Sequence, residues 1–287
     1  MVQFRRIRRL LATALAVGLV SAAVSVVLPA SPAAAVGLLQ LERANGSSAT
    51  NSNPYKSVTI SCPNGGAALS ANYSIIGAPG KVVLDDLIIS QGSVTVSAGE
   101  IVGPGEAPDG TPENWRIQAF AVCTPWILNY QQATSGFAVG SSRFVTVNCP
   151  AGQRVLGFGA SLAQGFGQVS ISNLWVNESS VTAIAHTDDD GFSGSWSVTA
   201  YAVCTSSNVG QQIVHGPTNP STSARFSSGL CPSTKQLVGV GWEQTGGGEV
   251  YVTTAKADST FLVDTVPDET GADFTWYTSA MGLCIDL

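Results

Sequence analysis

The sequence predicts an all-β protein made of three disulfide-closed repeats of short antiparallel strands, arranged with pseudo-threefold symmetry. Three observations lead to this fold class. A Trp followed eight positions later by Cys occurs three times, in segments 115–123, 196–204 and 276–284. The six cysteines are spaced so that each repeat holds one pair. Apolar and polar residues alternate with period two between frequent turns, and no segment after residue 35 has the pattern of an amphipathic helix.

Residues 1–35 have the features of a secretory signal peptide. Four arginines between positions 5 and 9 precede an apolar run over 10–28, and prolines and small residues lead to a cleavage site after Ala35. An uncleaved membrane anchor is the alternative, because the apolar run is nearly long enough to cross a bilayer. The prolines and alanines favour cleavage, so we expect a secreted, extracellular protein with no membrane insertion after the signal is removed.

The charge balance argues against nucleic acid and anionic membranes as partners. The chain has 13 basic and 19 acidic residues, and the signal removes four of the basic ones, which leaves a net charge of −10. Binding to phosphate-rich partners needs a basic surface. The abundance of small and β-branched residues suits short strands joined by tight turns.

The cysteines indicate disulfides and not a metal site. Metal ligation would want close pairs such as Cys-x-x-Cys, and the sequence contains none. The repeat favours one bridge per copy, out of fifteen pairings that six cysteines allow. The predicted bridges are Cys62–Cys123, Cys149–Cys204 and Cys231–Cys284.

Alignment on the first cysteine of each copy places the repeats at 36–125, 126–206 and 207–287, which together form one domain. Each copy has Cys-Pro, and six residues earlier a basic residue, for which we expect a structural ion pair. These basic residues are Lys56, Arg143 and Arg225. After Cys-Pro, copies two and three carry Gly-x-Gly and copy one small or polar residues, which indicates a bulge or a close backbone approach.

Each unit is expected to contain about five short strands, with one further short segment upstream. The upstream segments are 38–43, 130–134 and 211–215, and 45–53 is expected to be a linker. The two strands before each Trp strand are predicted at 82–89 and 94–102, at 169–176 and 180–186, and at 249–254 and 261–266. One compact body is favoured over three separate beads because the linkers are short and charge is sparse.

The segment Cys-Pro-Ala-Gly-Gln-Arg-Val-Leu-Gly-Phe-Gly at 149–159, closed by the Trp strand at 196–204, resembles repeats of secreted actinobacterial proteins of unknown function. The likeness covers essentially the whole chain after the signal. Three disulfide-closed β-repeats also resemble the three-sided β-prism of vitelline membrane outer layer proteins. This second resemblance implies a β-prism-like body and suggests carbohydrate or surface binding, and neither family supplies catalytic residues.

Acidic loops just before each Trp strand are the first candidate site. In a threefold body they would surround one rim, where carboxylates could hold Ca²⁺ or meet a basic partner. The alternative, which we favour, is that they keep hairpin tips solvated, so no metal or cofactor is predicted. These residues are Glu106, Asp109, Glu113, Asp188, Asp189, Asp190, Asp268, Glu269 and Asp273.

Aromatic residues are the second candidate site. The three repeated tryptophans are expected to pack in the core, although their rings could also stack on sugars. Aromatics without a counterpart in the other copies are better ligand candidates, because the fold does not demand them. They are Trp126, Trp175, Trp242 and Tyr251.

Catalysis has little support in the sequence. His186 and His215 occupy different repeat positions, and no nucleophile elbow or zinc-protease motif accompanies them. The leading hypothesis is a non-enzymatic, secreted binding or adaptor protein that contacts a cell-wall glycan or another secreted protein. The alternatives are a lectin with up to three equivalent sites and a hydrolase that uses loop carboxylates. The sequence does not predict an oligomeric state.

Overall fold

The computed structural model describes residues 40–101, 111–125, 128–165, 167–188, 191–218 and 220–286. The predicted signal peptide lies outside the described residues. Eighteen β-strands and one 3₁₀ turn, Pro63–Gly65, make up the regular structure of these ranges. They contain no helix that is long and apolar enough to cross a membrane.

Each repeat contributes six strands within the described residues. The first contributes β1 (Glu42–Ser47), β2 (Tyr55–Ser61), β3 (Ala67–Ile76), β4 (Val82–Ser90), β5 (Ser93–Glu100) and β6 (Arg116–Thr124). The second contributes β7 (Asn129–Thr134), β8 (Ser142–Asn148), β9 (Arg154–Ala163), β10 (Val169–Val176), β11 (Ser180–Thr187) and β12 (Ser197–Thr205). The third contributes β13 (Gln212–His215), β14 (Arg225–Gly229), β15 (Lys235–Gln244), β16 (Val250–Ala257), β17 (Phe261–Pro267) and β18 (Thr278–Asp286).

The strands form three antiparallel six-stranded sheets, and every sheet combines two repeats. Sheet I has the order β1-β6-β3-β16-β17-β14, sheet II β2-β5-β4-β9-β12-β7, and sheet III β13-β18-β15-β10-β11-β8. The first, third and sixth strands of each repeat lie in one sheet, and its second, fourth and fifth strands lie in the next. This cyclic exchange confirms the all-β fold class and fits pseudo-threefold symmetry. It also excludes three separate beads.

The short segment predicted upstream of the five strands forms the sixth strand of each repeat, closely at the predicted place in copies two and three and shifted in copy one. In the first copy, the predicted linker at 45–53 overlaps β1, which pairs with β6 from Glu42 opposite Cys123 to Ser47 opposite Gln118. The sequence of β1, Glu-Arg-Ala-Asn-Gly-Ser, has low strand propensity. Backbone pairing with an existing sheet edge therefore decides its conformation.

The Gly-x-Gly positions lie where strands of different repeats approach each other closely. A Cβ on Gly157 would stand 1.8 Å from the carbonyl oxygen of Leu69, and one on Gly159 would stand 2.2 Å from that of Leu87. In copy one the equivalent Ser70 instead donates a hydrogen bond to the carbonyl oxygen of Val238. The predicted close backbone approach is confirmed, and it occurs at the junctions between repeats.

The three predicted disulfides are confirmed, with Cα–Cα distances of 5.7 to 5.8 Å. Each bridge joins two sheets. Cys62 follows β2 of sheet II, and Cys123 lies in β6 of sheet I. The other two bridges join sheets II and III and sheets III and I. Three covalent links therefore close the ring of sheets.

The repeated tryptophans pack inside the protein at the same junctions between sheets. Trp115, Trp196 and Trp276 are fully buried, and each forms an isolated bridge with the loop before the Cys-Pro strand. The side chains of Lys56 and Arg143 stack on the rings of Trp115 and Trp196, at 4.1 and 5.3 Å from the ring centres. None of the ion pairs formed among the described residues involves the repeated basic positions, so the structural ion pair was a wrong expectation. A cation–π contact takes its place in the first two repeats.

Candidate functional site

Three tyrosines and two aspartates share the outer face of sheet II, which we call the tyrosine face. They are Tyr55, Asp85, Asp86, Tyr130 and Tyr201. In β2, exposed residues alternate with buried ones, and Tyr55 belongs to the exposed set. Residues directly opposite on neighbouring strands project from the same face. The register links the first and second repeats across this sheet through Asp86 opposite Ser161.

A shallow, open cleft with a cavity volume of about 100 Å³ lies on this face, lined by Ile89, Tyr130, Gln131, Gln132 and Tyr201. Its position follows from the junction between the repeats. Strands β4 and β9 pair at only two positions, Asp86–Ser161 and Leu87–Ala160. Beyond them, the missing side chain of Gly159 lets the carbonyl oxygen of Leu87 and the side chain of Ile89 pack against β9.

The two cleft tyrosines are held by their hydroxyl groups. The hydroxyl of Tyr130 donates to the carbonyl oxygen of Ala68 at 2.8 Å and lies 3.1 Å from that of Gln91. The hydroxyl of Tyr201 lies 3.0 Å from Oγ of Ser161. Burial raises the pKa of Tyr130 to about 12, so its phenol is neutral at ordinary pH. Both rings are therefore fixed in position before a ligand arrives, which lowers the entropy cost of binding.

Tyr55 stands at the edge of the same face and is 53 % exposed. It pairs with Gly99, and a Cβ at that glycine would lie 3.6 Å from Cδ2 of the ring. Its hydroxyl lies 3.5 Å from Oδ2 of Asp85. Burial raises the pKa of Tyr55, and the negative charges of Asp85 and Asp86 add to the effect.

Asp85 and Asp86 occupy a β-bulge in β4, where the register with β5 shifts. Burial raises the pKa of Asp85 from 3.8 to about 7, and the charge of Asp86 acts in the same direction. Burial also raises the pKa of Asp86, against the effect of hydrogen bonds from Ser97 and from the backbone of Leu162.

The other two sheets have the same bulge with neutral side chains. The residues there are Ser172 and Asn173 in β10, and Thr253 and Thr254 in β16. Of these three equivalent bulges, the one in sheet II is therefore the one that carries a pair of carboxyl groups.

The predicted acidic loops divide into separate environments. Glu106, Asp109, Asp189 and Asp190 lie outside the described residues. Glu113 is exposed and pairs with Lys81 at 2.6 Å, and Asp273 is exposed. Asp188, Asp268 and Glu269, from the loops of two repeats, come together around Tyr251.

Asp188 and Asp268 are buried, in contrast to solvated hairpin tips. Asp188 accepts a hydrogen bond of 2.7 Å from the hydroxyl of Tyr251. Asp268 accepts three hydrogen bonds from its own turn, from the backbone of Thr270 and Gly271 and from the Thr270 hydroxyl. Burial raises the pKa of Tyr251, and the charges of Asp188, Glu269 and Asp268 raise it further. No group of three or more His, Cys, Asp or Glu among the described residues is arranged to hold a metal ion.

The predicted aromatic ligands lie mostly inside the protein. Trp126 falls outside the described residues. Trp242 is fully buried and meets Tyr73 edge to face, with 6.3 Å between ring centres. Tyr251 is buried, and Trp175 is half-buried against the core. In this conformation the rings of Trp242 and Tyr251 have no surface to offer a ligand.

The histidines are far from forming a catalytic centre with an accessible nucleophile. Nδ1 of His186 lies 2.8 Å from Oγ of Ser172, and burial lowers the pKa of His186. Ser172 is only 1 % exposed, so a substrate could not approach its oxygen. His215 is exposed on β13.

Sequence reasoning missed the tyrosine face because its residues come from two repeats. Tyr55, Asp85 and Asp86 belong to the first copy, and Tyr130 and Tyr201 to the second. One signal was present, since Asp85-Asp86 interrupts an otherwise apolar strand and the other copies have no charge there. The register also places Phe120 and Met281 where the second copy has Tyr201. Comparison of the chain with protein-family models and with curated proteins finds no match.

Proposed function

We propose that the protein is a secreted, non-enzymatic binding protein that contacts a cell-wall glycan through the tyrosine face. The cleft between Tyr130 and Tyr201 carries this proposal. The negative face of an aromatic ring attracts the weakly positive C–H groups of a sugar, and the amides of Gln131 and Gln132 can pair with sugar hydroxyls. Secretion is supported by the three disulfides, which are typical of an oxidising compartment.

The composition of the site supports a glycan over a charged small molecule. The cleft is lined by neutral side chains, with one apolar wall at Ile89. A few polar groups beside apolar and aromatic surface are typical of small-ligand sites. The resemblance to secreted actinobacterial repeats supports secretion, and the resemblance to vitelline membrane outer layer proteins suggests carbohydrate or surface binding.

Glycan-array binding with the purified mature protein tests the function. We expect selective signals that Tyr201→Ala reduces about tenfold, because the stacking surface is lost, and that Tyr201→Phe largely keeps. Phe226→Ala, at an exposed aromatic on sheet I, is the control and should bind like the unchanged protein. Flat signals across the array and on isolated cell wall would refute the proposal.

A second candidate function, adaptor to another secreted protein, is favoured by one surface. Phe137, Val139 and Phe144 are 57 %, 61 % and 72 % exposed. Ala138, Asn51 and Ser221 hold equivalent positions in the three repeats, because each forms the isolated bridge to its tryptophan. The fold therefore does not require apolar residues beside Ala138. Exposed apolar groups of this kind mark contact sites in many proteins.

Affinity purification from culture supernatant checks the adaptor function. A partner that is captured by the unchanged protein, and lost with Phe137→Ser and Val139→Ser together, would support it. A protein recovered alone at native concentration would count against it.

A further inference from the structure

We propose that the tyrosine face binds an extended, ribbon-like polysaccharide, which contacts Tyr55 as well as the cleft at Tyr201. This inference rests on the glycan-binding function proposed above and names its ligand class. The chemistry is that of a β-1,4-linked chain of neutral pyranoses, whose flat faces expose C–H groups and whose edges carry hydroxyls.

The ring of Tyr55 lies flat on the sheet. Tyr55 is directly opposite Gly99 on β5, and the ring approaches the vacant side-chain position of that glycine. Its hydroxyl reaches along the sheet to Ser97 and to Asp85. An aromatic ring that covers a glycine on the neighbouring strand in this way turns its second face to solvent.

Tyr201 lies on the other side of the face. It is directly opposite Gly159 on β9, and its hydroxyl is bonded to Ser161, two residues further along the same strand. The ring therefore leans along β9 towards Ser161, whereas the space above Gly159 is taken by the carbonyl oxygen of Leu87 and the side chain of Ile89. Both tyrosines thus stand on one face of the sheet with their hydroxyls engaged by the protein, and Tyr201 contributes its side chain to the lining of the cleft.

A row of polar side chains crosses the sheet between the two rings. The register aligns Ser57 with Ser97, Ser97 with Asp86, Asp86 with Ser161, Ser161 with Thr199, and Thr199 with Thr134. Hydrogen bonds join Ser57 to Ser97 at 3.1 Å and Thr134 to Thr199 at 2.9 Å. The row fixes the positions of the two hydroxyls; its central members Ser97, Asp86 and Ser161 are buried, and its two ends, Ser57 and Thr134, are exposed.

The separation of the two rings sets the length of the ligand. Tyr55 on β2 and Tyr201 on β12 are four strand spacings apart, which is roughly 19 Å between the strands. A disaccharide is too short to cover both rings, and a longer oligomer spans them. Each ring adds stacking energy only when the chain reaches it, so affinity should depend on chain length.

Titration calorimetry with cello-oligosaccharides, from the disaccharide to the hexasaccharide, tests the inference. We expect the hexasaccharide to bind at least tenfold more tightly than the disaccharide. Tyr55→Ala should abolish most of this gain and leave disaccharide binding unchanged. Phe144→Ala, on the corresponding edge strand of sheet III, is the control and should keep the full gain.

The outcomes separate this inference from the function on which it rests. Equal affinity across the series, or a gain that survives Tyr55→Ala, would overturn the extended ligand while the glycan function stands. Glycan-array signals without any binding of cello-oligosaccharides would overturn the ribbon-like class. The absence of binding both on the glycan array and to the cello-oligosaccharides would refute the proposed function itself. Tyr55→Phe, which keeps the ring, should retain the gain and thereby shows that a loss in Tyr55→Ala does not come from misfolding.

Discussion

On the tyrosine face, burial shifts the pKa of individual side chains more than neighbouring charges and hydrogen bonds do. Asp85 sits in a bulge where burial and the neighbouring charge of Asp86 both favour the protonated form. The folded protein therefore holds a proton that the unfolded chain releases above about pH 4. This difference lowers the free energy of unfolding as pH rises from about 4 to about 7, and the full penalty remains above that range.

Replacing the carboxyl group of Asp85 by a neutral amide should remove this loss in the free energy of unfolding. Asp85→Asn is expected to raise the free energy of unfolding by on the order of 2 kcal/mol at pH 8 and to change it little at pH 4. Urea unfolding at the two pH values measures the effect. Asp273→Asn, at an exposed position, is the matched control and should have no effect at either pH. An equal gain at both pH values from Asp85→Asn would contradict the raised pKa.

At the scale of strands, the glycines of the third strand in the second and third repeats decide how closely the repeats can pack. Gly157 meets the backbone of Leu69, where no side chain can move aside. Backbone contacts of this kind leave no room for even one methyl group. The glycine is therefore required by the junction between repeats and not by its own backbone conformation.

A methyl group at this junction should be strongly destabilising. Gly157→Ala is expected to lower the free energy of unfolding by about 3 kcal/mol or more, because β9 and β3 must separate. Gly92→Ala is the control, since a Cβ there meets only an ordinary contact at 3.7 Å from the Gly66 carbonyl oxygen. Guanidinium unfolding of both variants checks this, and similar stabilities would show that the junction can relax.

The strands themselves were largely predictable from the sequence, and their partners were not. Strand β10 matches its predicted range, because its alternation is strong and turn residues bound it. The opening strand was predicted at 38–43, whereas β1 spans Glu42–Ser47 and runs into the predicted linker, since its polar sequence becomes a strand only through pairing with β6. The sequence pattern of a segment predicts the conformation of that segment. Which strand it pairs with depends on contacts between residues that are far apart in the sequence.

At the scale of the whole molecule, the exchange of strands makes the three repeats one cooperative unit. Each sheet draws half its strands from each of two repeats, and each disulfide joins two sheets. The same exchange brings Tyr55 of the first copy and Tyr201 of the second onto one face. Sequence reasoning assigned function to loops within single copies, so it could not assemble a site from two of them.

Removal of one bridge should therefore weaken the whole protein and not one repeat. Cys149→Ala with Cys204→Ala opens a loop with a sequence separation of 55 and is expected to cost about 4 kcal/mol. Tryptophan fluorescence and far-ultraviolet circular dichroism should still give one shared transition, shifted to lower denaturant. Two resolved transitions would mean that a repeat unfolds independently.

The exchange also fixes how many repeats the chain can contain. In solenoid proteins each repeat contacts only its neighbours, so evolution can add or remove copies at the ends. Here the last copy returns to the first through β16 and β3, with Thr254 opposite Ser74. A chain with one copy fewer would leave central strands of two half-sheets without partners and open to aggregation. Gene duplication can thus vary the residues on each face, but the count of three is set by closure.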